Sequence, residues 1–483
     1  MSEISNLQPE AIWKYFDEIT QIPRPSKKEE KIIKYLLDFA FEHKLKAEQD
    51  EVGNVVIRKA ASNGMENATP VILQSHTDMV CEKNNDVEFN FDTDPIQTYI
   101  EGDWVKAKGT TLGGDDGIGI AASLAILSAN DIQHGPLECF FTADEETGMT
   151  GAFGLQPDFL KGKILINLDS EDEGELFIGC AGGMDTSIEM NYKKEEIPKS
   201  WYSCKISVTG LNGGHSGDEI DKGLGNANKI LNRFLWRLSE KVEFKLSNLD
   251  GGNLRNAIAR EASAVISVSQ HNKEQIRLAL NIYTSEIQEE YDVTEKGLNL
   301  DMNTVESPLF AIDKETQDKL IRSVYACPHG VIAMSQSINN LVETSTNLAS
   351  VKFKENKIII GTSQRSSVDS ALIDAAAMVR TVFELAGAKV KHSDGYPGWT
   401  PKLDSEILKV TDKSYQKLFK EKPKVLAIHA GLECGLFLTK YPHLDMISFG
   451  PTIKGAHSPD ERMNIPTVQK FWDLLVDVLE NVK

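Results

Sequence analysis

The stretch Val71-Ile72-Leu73-Gln74-Ser75-His76-Thr77-Asp78 decides how this chain reads. A short run, apolar but for Gln74, leads straight into a histidine, and an aspartate follows two positions later. Such runs form buried strands. In open α/β sheets, ligands sit in the crevice beyond the carboxyl ends of the strands, and His76 and Asp78 stand at such an end. Two later stretches repeat the design. Leu137-Glu138-Cys139-Phe140-Phe141-Thr142-Ala143-Asp144 reads as a second buried strand and runs into Glu145-Glu146-Thr147-Gly148. Lys163-Ile164-Leu165-Ile166-Asn167-Leu168-Asp169 reads as a third. Adjacent carboxylates at the end of an apolar strand are costly unless a cation holds them. Three strands therefore bring His76, Glu145/Glu146 and Asp169 to one edge of one α/β sheet.

The bulk properties narrow the partners. A chain of 483 residues exceeds one ordinary core and predicts two domains. The net charge of −20 argues against nucleic acid or an anionic membrane as partner, since both demand a basic face. Met1-Ser2-Glu3-Ile4 lacks the charged-then-apolar pattern of a signal, and no apolar run approaches the length of a membrane span. The six cysteines (Cys81, Cys139, Cys180, Cys204, Cys327, Cys434) include no Cys-x-x-Cys pair. They read as the reduced thiols of a cytoplasmic protein, neither a disulfide framework nor a thiolate zinc site.

Outward from the first strand, residues 9–20 and 26–43 read as amphipathic helices, the second with Ser26 as N-cap and Glu29 three residues on. Val55-Val56-Ile57 is a short strand. Gly109-Thr110-Thr111-Leu112-Gly113-Gly114-Asp115-Asp116-Gly117 is a glycine-rich loop before a helix that takes over near Ile118. A loop of this kind could cradle phosphate, but this one carries two aspartates and no lysine, so it attracts a cation. One of the two aspartates is expected to cap the helix. Residues 1–184 and 392–483 share one texture and form a catalytic domain in two segments. Residues 185–391 read as an inserted α+β domain, with strands around 205–208, 264–268 and 357–360 and helices over 223–239 and 366–386. Strand and helix texture occurs twice within the insertion, in roughly 200–290 and 325–390, so a duplicated domain is one reading. Lys424-Val425-Leu426-Ala427-Ile428-His429 and Met446-Ile447-Ser448-Phe449-Gly450 return to strand texture before the loop Gly455-Ala456-His457-Ser458.

His76, Asp115, Glu145, Glu146, Asp169 and His457 together suit two divalent ions. Imidazole and carboxylate donors without thiolate fit catalytic Zn²⁺, Mn²⁺ or Co²⁺. One distribution fills the ligand count: His76 and Asp169 on one ion, Glu146 and His457 on the other, Asp115 shared. Glu145 is then spare, which suits a general base. Asp78 is placed to orient the His76 ring. Taken singly, each of these is as well explained as a core hydrogen-bonder or a helix cap. His43, His134, His271 and His392 lie in polar surroundings and read as solvated or structural.

The successive motifs Ser75-His76-Thr77-Asp78-Met79-Val80, Leu112-Gly113-Gly114-Asp115-Asp116-Gly117, Thr142-Ala143-Asp144-Glu145-Glu146-Thr147-Gly148, Asn167-Leu168-Asp169 and Gly455-Ala456-His457-Ser458 resemble those of the dinuclear zinc peptidases. That family includes carnosinases, peptidase T and bacterial aminoacylhistidine dipeptidases, also called Xaa-His or cytosol nonspecific dipeptidases. The length, the Gly182-Gly183 boundary and the long insertion most resemble the last. Ser75 and Cys81 stand where the motifs would have Gly and Pro, and neither position carries ligand chemistry. The resemblance implies a mixed-sheet metallopeptidase catalytic domain with the insertion as a lid. It implies Asp115 as the bridge, Glu145 as the base and Glu146 as a ligand. In the lid it implies that His215, in Gly213-Gly214-His215-Ser216-Gly217, steadies the oxyanion. It likewise implies that Asn256 holds substrate and that Arg365 pairs with the α-carboxylate. From the residues alone Asn256 and Arg365 read as a loop amide and a surface arginine, and a loop histidine is the alternative for His215.

The reaction expected is dipeptide hydrolysis by a metal-bridged water that Glu145 deprotonates, with zinc favoured as the metal and Xaa-His as a candidate preference. An aminoacylase-like deacylation and a tripeptidase activity would use the same site. A non-catalytic metal-binding scaffold is disfavoured, because no base or ligand is missing. A homodimer formed through the lid, and a lid enlarged to complete the site within one chain, both remain open.

Overall fold

The computed structural model describes residues 2–483. The chain divides into two compact units. The first runs up to Cys180 and resumes over Trp399–Ala427 and Leu432–Lys483. The second is Ala181–Gly398 together with the short segment Ile428–Gly431.

The first unit is built on an eight-stranded sheet. Its order is Lys46–Gln49, Val55–Lys59, Leu137–Thr142, Val71–His76, Ile164–Asn167, Asp445–Ser448, Glu175–Cys180 and Lys424–Ile428. The three strands expected to end in site residues are neighbours at its centre and run parallel. They are buried on both faces, which is why their sequences are continuous apolar runs without alternation. The register sets His76 opposite Thr142 and Gln74 opposite Asn167. Asp445–Ser448 extends the parallel block on one side, and antiparallel strands lie outside it at both ends, so the sheet is mixed. The helix Gly114–Ser128 packs on Val71–His76. It is apolar nearly all round and almost wholly buried, as a helix between a sheet and a further helix must be. That further helix, Glu10–Thr20, contributes buried Ile12, Trp13, Phe16 and Ile19.

One expected cap is corrected. The helix over 26–43 begins at Glu30, and Ser26 does not cap it. Ser26 Oγ donates to Asp78 Oδ2 at 2.7 Å, and Glu29 accepts from the amides of Lys27 and Asp144. The Ser-x-x-Glu pattern is present, but its side chains are drawn to the strand ends.

The second unit is a nine-stranded sheet. Along its path lie Asn299–Thr304, Trp201–Thr209, Ala262–Ser269, Phe244–Gly251, Val342–Phe353, Lys357–Ser366, Gly182–Asn191 and Lys389–His392, with Gly330–Met334 paired to Val342–Phe353. The helices Ala227–Ser239, Lys273–Glu290, Lys314–Ala326 and Asp369–Leu385 bury Ile230, Phe234, Leu280, Tyr283, Leu320 and Phe383 in one core with the sheet. Lys273–Glu290 and Lys314–Ala326 were not anticipated, although Ile276, Leu280, Tyr283 and Ile287 carry helical spacing. The unit is wider than the expected 185–391. Gly182 and Gly183 already pair with Ser366 and Arg365. The Ala181 amide holds the stray segment by donating to the carbonyls of both Ile428 and Ala430 at 3.0 Å. Among the described residues no helix is long and apolar enough to cross a membrane.

Candidate functional site

In the first unit the carboxyl ends of the central strands and the glycine-rich loop bring their acidic and imidazole groups together. His76 ends its strand with its ring 1 % exposed. Its Nε2 lies 2.8 Å from Asp115 Oδ1 and 3.5 Å from Asp169 Oδ1. The second oxygen of Asp115 faces the other way, 3.0 Å from His457 Nε2, which is also 3.2 Å from Glu146 Oε2. Ligand-type atoms of His76, Asp115 and Asp169 all lie within 4.8 Å of one another, as do those of Asp115, Glu146 and His457. Asp115 is common to both sets and offers a different oxygen to each.

Local structure explains the aim of each group. Asp115 and Asp116 are joined by a cis peptide and sit at non-helical angles at the head of their helix. Asp116 turns inward, accepting from the Gly119 amide at 3.1 Å and the His76 amide at 3.3 Å. It is therefore the aspartate that caps, and Asp115 is left to face the cluster. Gly113 takes φ 70°, and a Cβ there would meet the Arg24 guanidinium at 2.8 Å. Asp78 lies behind His76, 3.3 Å from its Nδ1. It also accepts from Ser26 and from the amides of Glu145 at 3.0 Å and Glu146 at 3.2 Å. Burial works against this carboxylate, but His76, Ser26 and the Glu145 amide hold it down at about 2. Asp78 thus faces the His76 ring and ties down the start of the Glu145–Gly148 turn with one side chain.

The electrostatics call for cations. Burial, reinforced by the Glu433, Glu146 and Asp115 carboxylates, pushes Glu145 up to about 8 against the pull of His76. Burial and Asp115 raise Asp169 far above the usual carboxylate range. Hydrogen bonds to Asp115 and Glu146 raise His457 to about 11. One imidazole N–H cannot satisfy Asp115 and Asp169 at once, and Glu146 Oε1 is buried with no partner. A buried carboxylate cluster of this density is stable only with positive charge inside it. Imidazole and carboxylate donors, with no cysteine among them, suit borderline to hard divalent metals. The donor set fits two such ions sharing Asp115.

Residues that the sequence did not single out complete the surroundings. Glu461, which burial raises, accepts from the amides of Leu112 at 2.7 Å, Gly113 at 3.1 Å and Gly114 at 2.8 Å. It thereby clamps the loop that presents Asp115. Arg24 is 2 % exposed and donates to the carbonyls of Gly113, Thr77 and Asp78. Glu433 is buried beneath the cluster and accepts from Gln74 and Thr142, each at 2.7 Å. Burial pushes it to about 7 and pushes Glu171, two residues after Asp169, to about 8. The signals were faint: an arginine between two prolines, and a lone Glu in Gly431-Leu432-Glu433-Cys434-Gly435.

The second unit holds its own polar cluster. His215 Nδ1 lies 3.1 Å from Asp218 Oδ2, and the short strand Gly214–His215 pairs with Ala257–Ile258. Asn256 is an exposed loop residue whose carbonyl accepts from the Ser216 amide at 2.8 Å. A cavity of about 680 Å³ is lined by both His215 and Asn256. A second, of about 220 Å³, is lined by Asn256, Arg365, Tyr396 and Asp185. Arg365 is not the surface arginine that its sequence context suggests, being 8 % exposed. Its Nη1 donates to the Tyr396 hydroxyl at 3.3 Å, its Nε is buried without a partner, and no carboxylate among the described residues lies within ion-pair distance. A buried guanidinium without a direct ion pair, with Asp218 within its electrostatic reach, has hydrogen-bonding capacity left for an anion. His134, read from sequence as structural or solvated, is buried and bonds the Gly135 carbonyl at 2.7 Å.

A mixed α/β sheet carrying two carboxylate–imidazole sets joined by one aspartate defines the class: a metal-dependent hydrolase. Comparisons with known proteins narrow it. The description "Peptidase family M20/M25/M40" matches residues 72–481, and the chain belongs to that family. It is 45% identical over 482 residues to the cytosol non-specific dipeptidase of Escherichia coli (strain K12), covering 100% of this chain and 99% of that one. It is also 45% identical to the aminoacylhistidine dipeptidase of Vibrio alginolyticus, whose crystal structure superposes with a TM-score of 0.93 over 100% of this chain and 98% of that one. The aminopeptidase PepT of Bacillus cereus shares the fold at 14% identity, with a TM-score of 0.57 over 99% of each chain.

Proposed function

We propose that this chain is a metal-dependent dipeptidase acting on short peptides with a free carboxyl end. The observation that carries this is the pair of ligand sets joined at Asp115, with Glu145 outside both yet within 4.8 Å of His76 and Glu146. His76 and Asp169 would hold one ion, Glu146 and His457 the other, and Asp115 both. When bound, the ions supply Lewis-acid chemistry, polarising the peptide carbonyl and making water more acidic. Glu145 takes the proton of the attacking water on its carboxylate and returns it to the leaving amine. Asp78 keeps the His76 ring and the Glu145 backbone in place. His215 donates to the developing oxyanion, Asn256 holds the peptide, and Arg365 receives the α-carboxylate. The insertion around 185–391 serves as the lid that carries these three, within a catalytic domain formed by 1–184 and 392–483. Zinc is the proposed native metal, with manganese and cobalt as competent substitutes, and the cytoplasm is the proposed location.

The similarity to a cytosol non-specific dipeptidase and to an aminoacylhistidine dipeptidase supports dipeptides as substrates. Which carboxyl-terminal residue is preferred, and whether the chain works as a homodimer, are to be read from experiment. The test is hydrolysis of β-Ala-His, a Xaa-His dipeptide, unrelated dipeptides, a tripeptide and an acyl-amino acid, with and without chelator, followed by add-back of Zn²⁺, Mn²⁺ or Co²⁺. Chelator-sensitive dipeptide cleavage restored by metal is the expected result. Cleavage of acyl-amino acids alone would move the assignment to a deacylase. Two bound metals without any hydrolysis would leave a binding scaffold.

A further inference from the structure

The segment Ile428–Gly431 leaves the strand that precedes it and clusters with the second unit. It is held there at several points. Besides the Ala181 amide, which grips two of its carbonyls, Gly217 presses on the His429 carbonyl so closely that a Cβ at 217 would collide with it. The same Cβ would stand 3.1 Å from the His215 ring. At the far end, a Cβ on Gly431 would meet the Tyr396 ring at 2.8 Å. Two glycines thus allow this short segment to lie flush against the partners of His215 and Arg365. The result is that His429 enters the second unit with its side chain 6 % exposed.

Its ring is within electrostatic reach of both proposed substrate-binding groups. His429 Nε2 is 2.7 Å from Ser345 Oγ. Ser345 is the cross-strand partner of Arg365 in the ladder between Val342–Phe353 and Lys357–Ser366. Directly paired residues place their side chains on one face of the sheet, about 5 Å apart. Its backbone carbonyl packs on Gly217, which in turn lies against the His215 ring, and Asp218 pairs with that ring. The charged and titratable groups facing the ring are Arg365, Asp218 and His215, and the Val342 carbonyl also faces it. Burial, with Arg365 nearby, pushes the ring down to about 4, so it sits beside the guanidinium without adding a second positive charge. His215, Gly217, His429, Ser345 and Arg365 form one contiguous row.

We propose that His429 is a positioning residue: its ring anchored on Ser345 and its backbone seated on Gly217, it sets the separation between Arg365 and His215, and with it the length of peptide that both can hold. This rests on the roles proposed above for those two residues. A group that holds the carboxylate clamp at a fixed distance rejects longer peptides by leaving their carboxylate out of register, a loss that binding to the rest of the chain does not recover.

The test compares a dipeptide, its carboxyl-terminal amide and a tripeptide on the metal-loaded wild type, His429→Ala, His429→Gln and Ser345→Ala. For His429→Ala the expected result is a KM about tenfold higher for the free dipeptide, little change for the amide, and a dipeptide-to-tripeptide ratio of kcat/KM about tenfold lower. His429→Gln, which can still reach Ser345, should restore most of the ratio, and Ser345→Ala should reproduce the loss. Equal losses on dipeptide and amide with no rescue by glutamine would overturn the proposal in favour of a purely structural histidine. An unchanged ratio in all variants would also overturn it. The same ratio measured as calorimetric affinity in a Glu145→Gln background needs no turnover. Failure of the wild type to cleave dipeptides would therefore count against the dipeptidase reading alone, while the affinity ratio still decides on His429.

Discussion

At the scale of single side chains, Glu145 and Glu146 are neighbours with different surroundings. Glu146 points an oxygen at His457 and buries the other without a partner, whereas Glu145 stands near His76 and Glu146 but in neither set that shares Asp115. Glu145→Ala should lower turnover by about 10²–10⁴-fold, the range for removing a general base, while leaving metal content at the wild-type level. Rate and metal analysis on the same preparation decide it, and a fully active variant would end the assignment. Arg365 is the complementary case. Its buried guanidinium lacks an anion, so Arg365→Ala should act through substrates that bring one. The expectation is a kcat/KM about 10²-fold lower on free dipeptides, in line with loss of a desolvated charge pair, and little change on carboxyl-terminal amides. An equal drop on both substrates would mean that the arginine supports the fold and leaves the carboxylate to other groups.

At the scale of elements, the site depends on polar groups buried under the strand ends. Gln74 donates to Glu433 at 2.7 Å and to Thr142 at 3.2 Å, and it accepts from Asn167 at 2.6 Å. Asn167 in turn accepts from Ser448, which meets Ser170 at 2.8 Å. One network thus crosses the strands Leu137–Thr142, Val71–His76, Ile164–Asn167 and Asp445–Ser448 just below the ligands. Gln74 is the first polar residue to break the apolar run Val71-Ile72-Leu73, and this is what it does there. Gln74→Leu keeps the shape roughly but strands Asn167 and Glu433. Leaving two buried polar groups short of a partner should cost about 2–5 kcal/mol. Urea unfolding of the metal-free protein checks this without involving the ligands; a loss below about 0.5 kcal/mol would show the network to be incidental.

At the scale of the whole molecule, two histidines of the second unit tie its stability to pH. Burial pushes His429 and His329 down to about 4 from the ordinary value of 6.5. Above pH 6.5 neither the folded nor the unfolded chain protonates them, and their stability contribution is fully present. As pH falls from 6.5 toward 4 the unfolded chain takes up protons that the folded chain refuses, so stability is lost across that window. The loss at pH 4.5 should be about 2 kcal/mol for His429 and smaller for His329, whose surface is only partly removed from water. Unfolding midpoints at pH 7 and pH 4.5 should therefore lie closer together in a His429→Gln variant than in the wild type; an equal gap would place the acid lability elsewhere.

The sequence by itself determined the central sheet and the chemistry at its edge. Doubly buried parallel strands must be continuous apolar runs, so Val71–His76, Leu137–Thr142 and Ile164–Asn167 were legible, and residues placed directly after such runs are carried to the strand ends with them. His76, Glu145, Glu146 and Asp169 were readable for that reason. Local rules misjudged Ser26, because a hydroxyl near a helix start is equally able to serve a carboxylate distant in sequence. Only tertiary structure decided the rest. Which aspartate of the pair caps and which faces the cluster depends on the turn at Asp115 and on Glu461, a residue far along the chain. The buried state of Arg365 follows from its cross-strand neighbours and Tyr396, and nothing local to Gln364-Arg365-Ser366 encodes it. The place of His429 depends on a four-residue segment packing away from the strand it continues. Pattern along the chain reports which face of an element is buried, but which charged group a fold leaves unpaired is set by contacts between residues far apart in sequence.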